Sequence, residues 1–229
     1  GSELHYDRLI VATGRRAAAQ RPGGRMGGLA GVVAFTTLDE ADQVRALQGS
    51  RRKAVVFGDT LPALQMVQAA SGVGLETTYL SSGDRILPEV LDEDASQVVA
   101  GRLRAAGVRV VWGASVEGVV EEDGRAAGVR LTGGQVYPAD IVGACAGYEP
   151  AVAMLPVGAE GLHVADDLST PWPSVWAAGD VVGDEPPFNW LRAWRQGERA
   201  GLAACGARLP VGPGRSPVHV LNCQLLGLS

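Results

Sequence analysis

Two hydrophobic periods alternate along this chain: short apolar, β-branched runs stopped by glycine read as strands, and stretches with apolar positions three and four apart read as helices. Tyr6-Asp7-Arg8-Leu9-Ile10-Val11-Ala12-Thr13-Gly14 is the first run and predicts a buried strand ending on small residues. Residues 15 to 31, rich in Gly, Arg and Ala and holding Pro22, predict a loop. Thr37-Leu38-Asp39-Glu40 has the pattern of a capping box, in which the threonine hydroxyl and the glutamate carboxylate each satisfy a free backbone N–H of the first helical turn. Ala41, Val44 and Leu47 carry the apolar stripe of that helix as far as Gly49.

Lys53 to Phe57 predicts the next strand. Gly58-Asp59-Thr60-Leu61-Pro62-Ala63 predicts a turn into a helix through Leu64, Met66 and Val67 to Ser71 and Gly72, and Glu76 to Leu80 a second strand. This is a β-α-β unit of the dinucleotide-binding kind with a broken fingerprint. A pyrophosphate turn needs G-x-G-x-x-G, because the second glycine lets the backbone touch the phosphates and the third lets helix pack on strand. Here the three places hold Gly58, Thr60 and Ala63. Alanine is tolerated at the third, but Thr60 brings a side chain to the ligand's place, and its hydroxyl is expected to cap the helix by accepting from the N–H groups a phosphate would use. The carboxylate that would hold a ribose at the end of the second strand is missing, since the chain reads Leu80-Ser81-Ser82.

A helix follows from about Asp92 to Ala106, with Val98, Val99 and Leu103 on its apolar face and Gly107 as its stop, and then a strand from Val108 to Trp112. Val116 to Val120, Gly128 to Leu131 and Gln135 to Tyr137, separated by Glu122-Asp123-Gly124-Arg125 and Gly133-Gly134, predict a meander of three antiparallel strands. A strand from Asp140 to Ala144 closes this region. Pro138 to Gly147 echoes Tyr6 to Gly14, each running from an acidic residue through an apolar strand to small residues and glycine, which suggests two lobes of related architecture.

Ser174-Val175-Trp176-Ala177-Ala178-Gly179-Asp180 is an apolar strand that delivers a carboxylate at its carboxyl end, the place where open α/β sheets bind ligands. Ala177, Ala178 and Gly179 leave room for a bulky planar or phosphorylated ligand to approach the backbone, and Asp180 can accept hydrogen bonds from sugar-like hydroxyls. A flavin's ribityl chain is such a ligand.

Composition narrows the classes. A chain of 229 residues with 46% hydrophobic content can bury two modest cores, so two lobes are expected. A net charge of -5 with no basic run gives no electrostatic footprint for nucleic acid. No apolar stretch is long enough for a membrane helix, and there is no leader pattern. Cys145, Cys205 and Cys223 lie far apart without a C-x-x-C and predict buried, inert thiols in a reducing, cytoplasmic compartment. His5, His163 and His219 are isolated, so no metal site is expected.

Taken together, these residues resemble the FAD-dependent pyridine nucleotide-disulfide oxidoreductase superfamily, nearest to its ferredoxin reductase, rubredoxin reductase, NADH oxidase and nitrite reductase large-subunit branch. Tyr6-Asp7 with Ala12-Thr13-Gly14, Arg85-Ile86-Leu87-Pro88, Gly107-Val108, Ala139-Asp140 with Gly147-Tyr148-Glu149-Pro150, Thr170 to Asp180, and Trp190-x-x-Ala193-x-x-Gln196-Gly197 carry the resemblance. It implies an α/β fold in which a Rossmann-like NAD(P)-binding lobe, with its three-stranded meander, is inserted into a partial FAD-binding lobe. The implied division is 3–31 for the partial FAD lobe, 32–149 for the NAD(P)-binding-like domain, 150–209 for the FAD lobe continued and 210–229 for the start of a C-terminal interface segment. It further implies FAD contacts from Thr13, Gly14, Gly179, Asp180, Gln196 and Gly197, and a degenerate NAD(P) site at Gly58, Thr60 and Ser81.

Departures from the family pattern set further expectations. The family's first β-α-β, with the FAD pyrophosphate glycines, would lie ahead of Tyr6, so tight FAD binding is expected to need that segment. No cysteine pair stands where disulfide reductases keep theirs. Thr60 and Ser81 replace NAD(P)H-binding residues, Gln65 replaces a usual glutamate and Ala151 a usual asparagine. The implied function is a piece of a flavoprotein moving electrons from NAD(P)H through FAD to an acceptor, with an impaired nicotinamide site. The rival is a non-catalytic Rossmann-like binding or assembly module that has lost its nucleotides. The open edge of a partial FAD lobe also predicts pairing with a second copy of the chain.

Overall fold

The computed structural model describes residues 3–17, 29–50, 52–158, 160–183 and 190–207, so the segment expected at 210–229, with His219 and Cys223, lies outside the described residues, as does Pro22. In chain order the elements are β1 (Leu9–Val11), β2 (Arg15–Ala17), β3 (Val32–Val33), α1 (Leu38–Arg45), β4 (Lys53–Phe57), α2 (Leu61–Gly72), β5 (Glu76–Leu80), α3 (Glu93–Ala105), β6 (Arg109–Val111), β7 (Val116–Glu122), β8 (Arg125–Leu131), β9 (Val136–Pro138), β10 (Ile141–Ala144), β11 (Tyr148–Pro150), β12 (Val175–Ala177) and α4 (Trp190–Ala204). They form two compact units, one from residues up to Arg16 together with those from Tyr148, the other from Ala17 to Gly147.

The second of these units is built on a five-stranded parallel sheet in the order β3-β10-β4-β5-β6. Successive side chains of a strand point to opposite faces, and β4 shows the result: Ala54 and Val56 join the core under Leu64, Met66, Val67 and Leu103 of α2 and α3. Val55 and Phe57 join the opposite core with Val129, Leu131 and Tyr137 of the meander. β7, β8 and β9 form that antiparallel meander, and its first turn places Asp123 and Gly124 both at positive φ (49° and 74°), the two-residue hairpin turn that this pair favours. Ala30 bridges Arg125 and β3 pairs with β10, so the stretch from Leu29 onward belongs to this unit.

The stripe on α3 is Ser96, Val99, Ala100 and Leu103, whereas Val98 is 55% exposed. Adjacent helical residues point about 100° apart, so Val98 and Val99 cannot share the buried face.

The capping box at α1 is present and larger than its pattern predicts. Glu40 accepts from the backbone N–H groups of Ala34 (2.7 Å), Thr36 (2.7 Å) and Thr37 (3.1 Å) and from the Thr36 hydroxyl (3.1 Å), while Thr37 Oγ1 accepts from Glu40 N. Partial burial opposes ionisation, but these bonds together outweigh it and lower the carboxyl pKa from its ordinary 4.5. Such a group contributes stability above that ordinary value and loses it as pH falls through the lowered one. Glu40→Ala should therefore destabilise the protein by about 1.5 to 3 kcal/mol at pH 7, and the difference from the parent should shrink when melting is repeated progressively below pH 4.5. A pH-independent difference would contradict the ionised-carboxylate account.

In the other unit β1 and β12 pair in parallel, Leu9 with Val175 and Val11 with Ala177, and β2 pairs with β11. The run from Tyr6 to Gly14 is not the buried strand its composition suggests, because β1 has a single neighbour among the described strands. Only Val11 is buried, while Leu9 and Ile10 are 37% and 39% exposed. Residues 15 to 17 form β2 rather than loop. Val11, Val152, Leu162, Val175, Ala177, Val181 and Val182 make the core, and α4 packs Ala200 against Ala178 and Leu168.

Candidate functional site

The carboxyl end of β12 brings Gly179 and Asp180 into a single 3-10 turn over Gly179–Val181. Gly179 sits at φ +81°, a conformation glycine adopts freely. Its N–H donates to Gln196 Oε1 at 2.8 Å, which ties the strand end to α4. Gln196 thus has a positioning role that its place in the sequence does not reveal. Gly197 is exposed, and a Cβ there would meet nothing within 4 Å among the described residues, so packing within them does not require glycine.

Asp180 is half-buried, and its two oxygens differ. Oδ2 lies 3.5 Å from Arg15 Nε, whereas Oδ1 is buried with no hydrogen-bond partner among the described residues. Loss of hydration raises its pKa above the ordinary 3.8, with the nearby Arg15 and Arg192 opposing the rise. The Arg15 guanidinium also lies over the Tyr148 ring at 3.9 Å, and the buried Arg192 donates from Nη2 to the Val182 carbonyl at 3.3 Å. Neither arginine is marked by a motif. Only the fold brings residues 15, 148, 180 and 192 together.

Thr13 and Gly14 follow β1, whose carboxyl end lies beside that of its parallel partner β12. The Thr13 hydroxyl donates to the Ala151 carbonyl at 2.9 Å, and the Gly14 carbonyl accepts from Ala151 N–H at 2.9 Å. Arg16 pairs with Glu149 at 2.8 Å alongside.

In the dinucleotide-type unit, Gly58 sits at φ +119° so close to the end of β10 that a Cβ would run into the Cys145 carbonyl oxygen. Thr60 occupies the N-cap of α2, but its hydroxyl accepts no bond from the helix and donates across to that same carbonyl at 2.8 Å. The expectation of a helix cap by Thr60 is therefore corrected: the adjacent end of β10 offers its side chain an acceptor, and the first-turn N–H groups are left to the backbone, with Ala63 and Leu64 bonded to the Thr60 carbonyl. Pro62, within the first turn, has no N–H to satisfy.

Ser81, at the end of β5, is buried and donates to Asp59 Oδ1 at 2.7 Å. Asp59 Oδ2 accepts from Ser82 N–H at 3.0 Å and from the Ser82 hydroxyl at 2.5 Å. Tyr79 adds its hydroxyl, shared between Asp59 Oδ1 (3.3 Å) and the Gly58 carbonyl (3.1 Å). Burial first, then the Asp59 charge and bond, push the Tyr79 pKa far up, so it stays protonated and donates. In the sequence Asp59 reads only as a variable position between glycine places. Its signal is an acidic residue in a turn that normally receives phosphate.

Cys145 is buried as expected and forms no disulfide among the described residues, but Cys205 is exposed, because it lies in the turn just past the end of α4. Among the described residues there is no cluster of metal-ligating side chains and no helix long and apolar enough to cross a membrane.

With this geometry in view, comparison with known proteins places the chain. The family described as pyridine nucleotide-disulphide oxidoreductase matches residues 1–197. The ferredoxin–NAD(+) reductase component of the biphenyl dioxygenase system of Paraburkholderia xenovorans is 32% identical over 186 residues, covering 80% of this chain and 45% of the relative. The rubredoxin–NAD(+) reductase of Pseudomonas putida is 28% identical over 186 residues, covering 80% and 48%. Among solved structures, an NAD-dependent persulfide reductase from A. fulgidus superposes with a TM-score of 0.80 at 30% identity, over 93% of this chain and 41% of that one. The chain spans less than half the length of these relatives. On the match over residues 1–197, this chain belongs to the pyridine nucleotide-disulphide oxidoreductase family.

Proposed function

We propose that this chain is part of a flavoprotein oxidoreductase that moves electrons from NAD(P)H through FAD to an acceptor, with the flavin held at the end of β12 and the nicotinamide nucleotide bound poorly. The acceptor would be a ferredoxin or rubredoxin, the kind named for the relatives. The observation that carries the flavin half is Asp180 Oδ1, a buried carboxylate oxygen without a partner among the described residues, beside small residues and an exposed Gly197 on the adjoining helix. An orphaned buried acceptor is costly, and a ligand hydroxyl placed there removes the cost. Bound flavin would supply the hydride and single-electron chemistry. The chain's own residues would hold and orient: Asp180 would accept from the ribityl hydroxyls, Gln196 fixes Gly179 at the strand end, and Arg15 and Arg192 oppose the rise in the Asp180 pKa that burial causes. Thr13 and Gly14, through Ala151, brace the second strand end against which the flavin would lie.

The nicotinamide half fits badly. Gly58 is occupied with β10, Thr60 with Cys145 and Ser81 with Asp59, and no carboxylate stands at the Ser81 position to hold a ribose. This favours, for the dinucleotide-type unit alone, the second reading of a lobe retained as architecture.

Ligand-observed NMR tests both halves, since saturation transfer detects even millimolar binding. Transfer from the protein to the ribityl and isoalloxazine protons of FAD, with little or none to NADH at equal concentration, is the expected result. FAD signals that receive no transfer would overturn the flavin site, and strong transfer to NADH would overturn the impaired nucleotide site.

A further inference from the structure

We propose that Asp59 is the specificity-determining residue that shuts the dinucleotide-type unit to NAD(P)H, by latching the β4-α2 turn to the end of β5. The inference rests on the reading that this unit binds nicotinamide nucleotides poorly, and names the cause. A carboxylate has about four acceptor positions, two on each oxygen. In Asp59 all are engaged: Oδ1 by Ser81 Oγ and the shared Tyr79 hydroxyl, Oδ2 by Ser82 N–H and Ser82 Oγ.

Two consequences follow from this saturation. Asp59 cannot stand in for the missing ribose carboxylate, because no acceptor position remains for a 2′-hydroxyl. The serines cannot serve either, because their donors are turned onto Asp59 rather than into the groove between β4 and β5 where a nucleotide would lie. The latch also fixes a negative charge in the turn that opens α2, where a diphosphate would need uncompensated N–H groups, so the charge repels the ligand the fold was built for. Thr60 and Ser81 are then accessory. Thr60 adds bulk but no charge, and Ser81 is held in place by the latch.

The latch differs from an ordinary structural bond in what its removal does. Asp59→Gly removes charge and side chain and frees both serines, while Asp59→Asn removes charge and keeps the shape. Isothermal titration with NADH, run beside thermal melting, reads both effects. Asp59→Gly should tighten NADH binding by about ten- to a hundredfold over the parent, and Asp59→Asn by about tenfold or less, while both melt at lower temperature for want of the latch bonds. If the parent itself binds NADH tightly, the reading of a poor nicotinamide site fails. If the parent binds weakly and neither variant improves, that reading stands and the latch is not its cause. Should Asp59→Gly fail to fold, Asp59→Asn decides alone, because loss of charge without any gain in NADH affinity overturns the repulsion on which the inference depends.

Discussion

Gly58→Ala should cost about 2 to 6 kcal/mol, the sum of roughly 1 to 3 for a strained backbone and roughly 1 to 3 for overpacking. Gly58 sits at φ +119°, which an L side chain rarely adopts, and an alanine Cβ would meet the carbonyl oxygen of Cys145, its carbonyl carbon at 2.6 Å and Ala146 N at 3.1 Å. All three are backbone atoms, so no side chain can swing aside. Nor can the strand end retreat, because Cys145 N–H is bonded to the Phe57 carbonyl at 3.0 Å and its own carbonyl to the Thr60 hydroxyl at 2.8 Å. At about 2 to 4 °C per kcal/mol the melting transition should fall by roughly 4 to 24 °C, about 12 °C at the middle of both ranges. Gly101→Ala is the control. It lies within α3 with nothing within 4 Å of the methyl group that alanine would add, and should stabilise by about 0.4 to 1 kcal/mol. Parallel melts of the two variants decide the matter, and a Gly58→Ala protein melting no lower than the parent would show that this glycine is not required where β4 meets β10.

The contrast between those two glycines marks what a sequence makes legible. Where order along the chain is also neighbourhood in space, the reading holds: Thr37 and Glu40 are three apart and form their box, Asp123-Gly124 turns its hairpin, and the apolar run from Ala54 to Phe57 becomes the middle of a parallel sheet covered on both faces. Composition cannot say how many neighbours a strand has. Leu9 and Ile10 are as apolar as the residues of β4 and yet remain open, because β12 is the only strand paired with β1 among the described residues. Hydroxyl partners are equally hidden. Thr60 stands at an N-cap, where a threonine usually accepts from its own helix, but the Cys145 carbonyl, 85 residues away, is nearer to what its hydrogen needs. Asp59 is hidden for a related reason: its partners Tyr79, Ser81 and Ser82 are gathered only when β5 lies beside β4. The site at Asp180 is visible as a carboxylate after small residues, while the arginines that partly offset its burial are not, since residues 15 and 192 meet it only through the fold.

At FAD concentrations high enough to occupy the weak site expected of this chain, Asp180→Ala should loosen flavin by about ten- to a hundredfold, the loss of one charge-assisted acceptor worth roughly 1.5 to 3 kcal/mol. The effect on the fold itself should run the other way. Asp180 is the second residue of its 3-10 turn, its Oδ1 has no hydrogen-bond partner among the described residues, and burial raises its pKa. A carboxyl group whose pKa is raised by folding favours the folded state while protonated, fully so below its ordinary 3.8, and that contribution is lost as pH rises through the raised value. At neutral pH the ionised carboxylate is therefore a burden on the ligand-free protein, only partly offset by Arg15 at 3.5 Å. Asp180→Ala should leave the melting temperature at pH 7 unchanged or slightly higher without FAD, and should abolish most of the rise in melting temperature that FAD gives the parent, since a ligand stabilises only the state it binds. Melting curves of both proteins, with and without FAD, separate binding from structure in one set of measurements. A fall of several degrees in the ligand-free variant would make Asp180 a structural residue. An undiminished FAD-induced rise would remove it from the flavin site and leave its orphaned oxygen without a ligand to explain it.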